Sequence, residues 1–182
     1  MLKNTAIIFL FIFIASMASP AYAEPLPLTK SIQVGISQED FKKIYPALDL
    51  SKSQQWQTKA QLNGLQGKWT YTFKDNQLEW YSFSYYVNDF KKLTEENFNL
   101  SLAETKKIIT QLTALYGKPV EEIKGKEAFT PPPKHWGYDV IETRWTSDKE
   151  KISARFKFFG GKGQYFFVVE TWFHAKNHAY WQ

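Results

Sequence analysis

Large aromatic side chains alternate with polar ones from Lys68 to Lys74: Trp69, Tyr71 and Phe73 are interleaved with Lys68, Thr70, Thr72 and Lys74. A period of two turns one set of side chains toward a core and the other toward solvent, so this segment reads as a half-buried strand. One strand cannot bury its apolar face alone; it needs sheet partners and a covering layer. The flanking sequence offers both. Trp56, Thr58, Ala60 and Leu62 alternate with Gln55, Gln57, Lys59 and Gln61 before it. Asn63-Gly64 and Asp75-Asn76 are turn signals, and residues 78–87 read as a third, returning strand.

A short helix precedes these strands. Ser37 sits at an N-cap position with Asp40 three residues on, and Ile36 and Phe41 occupy the positions of a hydrophobic staple. The helix runs from Gln38 to about Tyr45, and Pro46 helps stop it. The same order then recurs. Residues 88–99 read as a polar connector, and Ser101 with Glu104 as a capping box. The second helix carries Ile108, Ile109, Leu112, Leu115 and Tyr116 on one stripe, with Gly117 at its C-terminal end and Pro119 beyond. A loop over 125–137 contains Thr130-Pro131-Pro132-Pro133. Strands follow near 138–146, 151–159 and 164–174, the last two joined by Gly160-Gly161-Lys162-Gly163. The expected fold is α+β: two helix-strand-strand-strand pseudo-repeats, about 32–87 and 100–174, forming an antiparallel sheet with the helices packed on one face.

Ile32-Gln33-Val34-Gly35-Ile36-Ser37-Gln38-Glu39-Asp40-Phe41 is similar to the strand-Gly-helix opening of the beta-lactamase-inhibitor-protein-like group, which includes outer-membrane assembly lipoproteins of the SmpA/OmlA type. Leu115-Tyr116-Gly117-Lys118-Pro119 resembles the Gly-x-Pro that often closes their helix. This chain lacks both the lipid-bearing cysteine of the assembly lipoproteins and the cysteine pairs of the inhibitor. The resemblance implies a non-catalytic protein that binds another protein through its sheet.

Residues 1–23, MLKNTAIIFLFIFIASMASPAYA, read as a signal peptide: Lys3 gives the positive n-region, Ala6 to Ala15 an apolar run, and Ala21-Tyr22-Ala23 the small-x-small cleavage site. The run is shorter than the roughly 20 residues of a membrane-spanning helix. The expectation is export to the periplasm with cleavage after Ala23, leaving residues 24–182 as a single α+β domain with no membrane span. Cysteine is absent, which excludes disulfides, thiol nucleophiles and thiolate metal sites. The formal net charge is +5, but the basic residues are dispersed in pairs such as Lys91-Lys92 beside acids. A nucleic-acid binder concentrates them on one stripe, so no nucleic-acid partner is expected.

Catalytic signals are sparse. There is no nucleophile elbow, P-loop or dinucleotide fingerprint, and the glycine run lies between strands instead of before a helix. His174 and His178 have i, i+4 spacing but lie at the end of the last strand, without the glutamate of an HExxH site. Asp139 with Glu142, or Glu79 with Glu170, could pair as carboxylates for acid–base work. No catalytic residue, metal or cofactor is expected. The outstanding feature is aromatic content: Trp, Tyr and Phe make up 18% of the chain, many building the core, and both returning strands are apolar on both faces, either because both faces are buried or because one is a contact surface. Tyr81, Phe83, Tyr85 and Val87 oppose Leu78, Trp80 and Tyr86; Tyr165, Phe167, Val169 and Phe173 oppose Phe166, Val168 and Trp172. If the helices cover one face, Trp80, Tyr86, Phe166 and Trp172 form an aromatic contact strip on the other. The loop 129–138, with His135 and Trp136, is the second candidate, stiffened by its prolines. The expected function is a binding protein for another periplasmic or envelope protein: an inhibitor, an immunity-like protein or an assembly accessory. One alternative is a glycan or small apolar ligand stacked on the aromatics between Ser82, Ser84, Glu170 and Thr171. A carboxylate-dependent hydrolase is the other.

Overall fold

The computed structural model describes residues 32–46, 49, 54–131, 137–161 and 164–177. The signal-peptide segment, His135, Trp136 and His178 lie outside the described residues. Helix α1 (Gln38–Ile44) precedes strands β1 (Gln55–Leu62), β2 (Leu65–Lys74) and β3 (Gln77–Val87). A 3-10 turn (Phe90–Lys92) leads to helix α2 (Glu95–Tyr116), followed by β4 (Glu121–Lys124), β5 (Gly137–Thr146), β6 (Glu150–Gly161) and β7 (Gln164–Ala175). The strands form one seven-stranded sheet in the order β1-β2-β3-β7-β6-β5-β4. Every neighbouring pair is antiparallel, so two meanders meet where β3 pairs with β7. The chain is an α+β protein.

Local chemistry sets the turns. Asn63, Asp75 and Asn76 hold positive φ angles of 51°, 49° and 61°, the left-handed conformation that tight hairpins require and that Asn and Asp tolerate best after glycine. Ser37 caps α1 as its sequence implies, its Oγ accepting the Asp40 N–H at 3.0 Å.

The core is built from rings. Phe41 of α1 lies 4.9 Å from Tyr71 and edge-on to Phe73 at 5.2 Å. Phe98 of α2 lies 5.0 Å from Phe156 and 5.8 Å from Phe167, and Tyr116 lies 6.4 Å from Phe173. These strand residues share one parity of the sheet, since the register aligns Tyr71 with Tyr81, Tyr81 with Phe173 and Phe173 with Ile152. Each offset or edge-on pair adds about 0.5–1.5 kcal/mol beyond simple burial.

Three details depart from the sequence reading. Helix α2 starts at Glu95, so residues 95–99 are helical and not connector; Thr94 is the cap, with its Oγ accepting the Asn97 N–H at 3.3 Å. Ser101 instead lies buried inside the helix, donating to the Asn97 carbonyl at 2.7 Å, and Glu104 accepts the Gly64 N–H at 3.1 Å. Second, β4 adds a strand between α2 and β5, so the second half is a helix followed by four strands. Third, a bulge shifts the register after Thr72: Thr72 faces Trp80 but Phe73 faces Leu78. Glu79 is the extra residue, and it flips Leu78 into the core, where it is buried, instead of onto the face of Trp80.

Candidate functional site

The sheet parity opposite Phe41 and Phe98 carries the candidate site. On this parity the register pairs Trp80 with His174, Ser82 with Trp172, Ser84 with Glu170 and Tyr86 with Val168. The strand alternation thus brings Trp80, Tyr86, Phe166 and Trp172 onto one face of β3 and β7. Trp80 and Trp172 lie 5.3 Å apart, and the Trp172 ring stacks on His174 at 5.2 Å and 5°. At the other end of these strands Tyr86 lies 6.1 Å from Phe166, which stacks on Phe159 of β6 at 4.9 Å. Tyr86 is 48% and Phe159 40% exposed, while Trp80, Phe166 and Trp172 are half-buried.

A polar centre holds the two aromatic ends in place. Glu170 is buried between them and bonds Arg155 through its Oε2, at 2.8 Å from Nε and 2.6 Å from Nη2. Its Oε1 accepts the Tyr86 hydroxyl at 3.1 Å. The Arg155 guanidinium lies 5.9 Å from the centre of the Trp172 ring, a cation–π arrangement. Burial and the adjacent Glu170 carboxylate raise the Tyr86 phenol above its ordinary value, so at neutral pH it is a hydrogen-bond donor. The Glu170–Arg155 pair thus ties Tyr86, through the carboxylate, to Trp172, through the guanidinium. The Trp172 indole N–H is buried without an acceptor among the described residues.

The acidic pairs proposed for catalysis resolve into ion pairs. Lys157 binds Asp139 at 2.9 Å and reaches Glu142 at 4.0 Å, and Arg144 bridges Glu142 at 2.8 Å and Glu121 at 2.7 Å. Glu79 faces Lys74 at 4.0 Å, whereas Glu170 belongs to Arg155. His174 lies within β7 and stacks on Trp172, and His178 lies outside the described residues. No group of three metal-ligating side chains occurs among the described residues. No helix among them is long and apolar enough to cross a membrane.

The loop 129–138 is described only at its ends. Phe129 packs on Phe98 and Phe167, on the parity opposite the strip, and the Tyr138 hydroxyl donates to the Ala128 carbonyl at 3.1 Å. These anchors lie away from the aromatic strip. The sequence reading missed Arg155, Phe159 and His174 as members of the site. Counting back from the glycine hairpin identifies Phe159 as the partner of Phe166, but the guanidinium–indole contact depends on side-chain reach that no periodicity encodes.

Fold and site together define an α+β protein with a mixed aromatic and polar sheet face. No protein-family model, curated protein or solved structure matches the chain.

Proposed function

We propose that this chain is an exported, non-catalytic binding protein of the periplasm that engages another envelope protein through the Trp80–Trp172 face of its sheet. In this reading the chain comprises two pseudo-repeats sharing one core, with both helices on one face and the other face left for the partner. Phe41 and Phe98 contacting rings of the same parity supports that layering. The observation that carries the proposal is the aromatic strip itself, exposed at Tyr86 and Phe159 and fixed from beneath by the Glu170–Arg155 pair. Half-exposed Trp, Tyr and Arg held in one geometry are the residue types that dominate protein interfaces. The role is that of an inhibitor, an immunity-like protein or an assembly accessory, in line with the beta-lactamase-inhibitor-like resemblance. Trp80→Ala and Trp172→Ala are each expected to abolish partner binding while circular dichroism stays unchanged; collapse of the fold in both variants contradicts the proposal.

Glycan binding is the second reading, favoured by the buried Ser82, Ser84 and Glu170 set between the rings. It predicts a shift in tryptophan fluorescence on addition of envelope glycans, and no shift rejects it.

A further inference from the structure

Residues from all seven strands align in one row across the same sheet face. Lys59 pairs with Lys68, Lys68 with Ser84 and Ser84 with Glu170; Glu170 then pairs with Arg155, Arg155 with Glu142 and Glu142 with Ile123. The carboxylates of this row and its neighbours are each bound to a cation: Glu170 to Arg155, Glu142 and Glu121 to Arg144, and Asp139 to Lys157. At the β1–β2 end the pattern breaks. Lys59 and Lys68 stand directly opposite one another, both exposed, with no acidic partner among the described residues. The contact made by Lys68 is to the neutral Gln57 amide, at 3.4 Å. Like charges directly opposite in a sheet are destabilising, so the pair adds nothing to the fold.

These lysines border a groove of about 370 Å3 whose other walls include Gln66, Ser84 and Tyr86. Tyr86 separates it from a second groove of about 480 Å3 lined by Asn88, Phe90, Gln164, Tyr165 and Phe166. Positive charge with no acidic partner among the described residues therefore adjoins the aromatic strip, with Tyr86 lining both grooves. We propose that the groove between Lys59, Lys68, Ser84 and Tyr86 is a carboxylate-binding subsite, and that the partner docking on this face is an acidic protein segment whose Asp or Glu side chains fill it. Apolar side chains of the same segment then meet Tyr86 and Phe166. This inference rests on the docking role of the face and specifies the chemistry of its partner.

The test is a titration of the 15N-labelled protein with a blocked tetraglutamate peptide, with tetraglutamine and inorganic phosphate as parallel probes. Tetraglutamate is expected to shift the amide signals of Lys59, Lys68, Ser84 and Tyr86, while tetraglutamine does not. Lys59→Gln/Lys68→Gln is expected to weaken tetraglutamate about tenfold, the sum of two exposed ion pairs. Its melting temperature is expected to stay the same or rise, since the like-charge pair is gone. Shifts scattered over lysines elsewhere, or unchanged in the double variant, overturn the subsite. Phosphate binding as tightly as tetraglutamate at the same residues also overturns it, because the groove is then a simple anion site. Trp80→Ala/Trp172→Ala is expected to keep the tetraglutamate response. Should that variant keep its partner as well, the docking role fails while the subsite stands. Partner loss in a chain that never binds tetraglutamate removes the subsite alone.

Discussion

Leu78 and Trp80 sit two residues apart on the same strand, yet they do opposite work. Leu78 is buried against the Phe73 side of the sheet, and Trp80 lies half-exposed beside Trp172 and His174. The bulge at Glu79 separates them. Leu78→Ala is therefore expected to cost about 2–5 kcal/mol in urea unfolding, the range for emptying a well-packed core position. Trp80→Ala is expected to cost only about 1–2 kcal/mol, the loss of its contacts with Trp172 and His174 and of partial burial. Equal costs contradict the bulge. Alternation places Trp80 with Tyr86 and Phe166 with Trp172, because period two is the strongest signal a strand carries, and the β3–β7 register puts the two pairs on one face. It misplaces Leu78, because an inserted residue resets the parity and leaves no mark in composition.

Among the elements, α2 shows how helix ends compete. Thr94 and Ser101 both offer a hydroxyl at a position where a helix could begin. The earlier start prevails because it carries Phe98 onto Phe156 and Phe167, and tertiary burial outweighs the few tenths of a kcal/mol that separate one cap from another. Thr94→Ala is expected to destabilise the protein by about 1 kcal/mol. Ser101→Ala is expected to change stability by less than about 0.5 kcal/mol, since a mid-helix serine bonded to its i−4 carbonyl contributes little. The reverse ranking in thermal unfolding contradicts Thr94 as the cap. Helix α1 was legible from Ser37 and Pro46 because it is short and has no competing start. Strand β4 was not, since Glu121-Glu122-Ile123-Lys124 carries a single apolar residue and owes its form to pairing with β5.

For the molecule as a whole, Glu150 joins distant parts. It is buried at the start of β6, accepts the Val34 N–H at 2.7 Å and receives the Tyr116 hydroxyl at 3.4 Å, so one carboxyl links the segment before α1 to the end of α2. Burial raises its pKa above the ordinary 4.5, and the Val34 and Tyr116 bonds and the charge of Lys149 only partly offset the rise. A raised folded-state pKa gives stability that is complete below the unfolded value and is lost as pH climbs through the folded one. Glu150→Gln keeps an acceptor for Val34 and cannot ionise. Urea unfolding from acid to neutral pH should show the wild type losing stability relative to this variant, by at most about 1.4 kcal/mol per pH unit. Parallel profiles contradict the assignment. The order of the sheet was beyond the sequence, because nothing local in β3 or β7 records that they pair with each other and not with an edge.

The proposed docking face is tested most directly by a photo-cross-linking amino acid placed at Tyr86 and, in a separate preparation, at the exposed Lys107 of α2, each in the full-length chain. A discrete protein adduct from position 86, absent from position 107 and lost when Trp80→Ala/Trp172→Ala is added, is the predicted result. No adduct from position 86, or the same adduct from both positions, would contradict the sheet face as the binding surface.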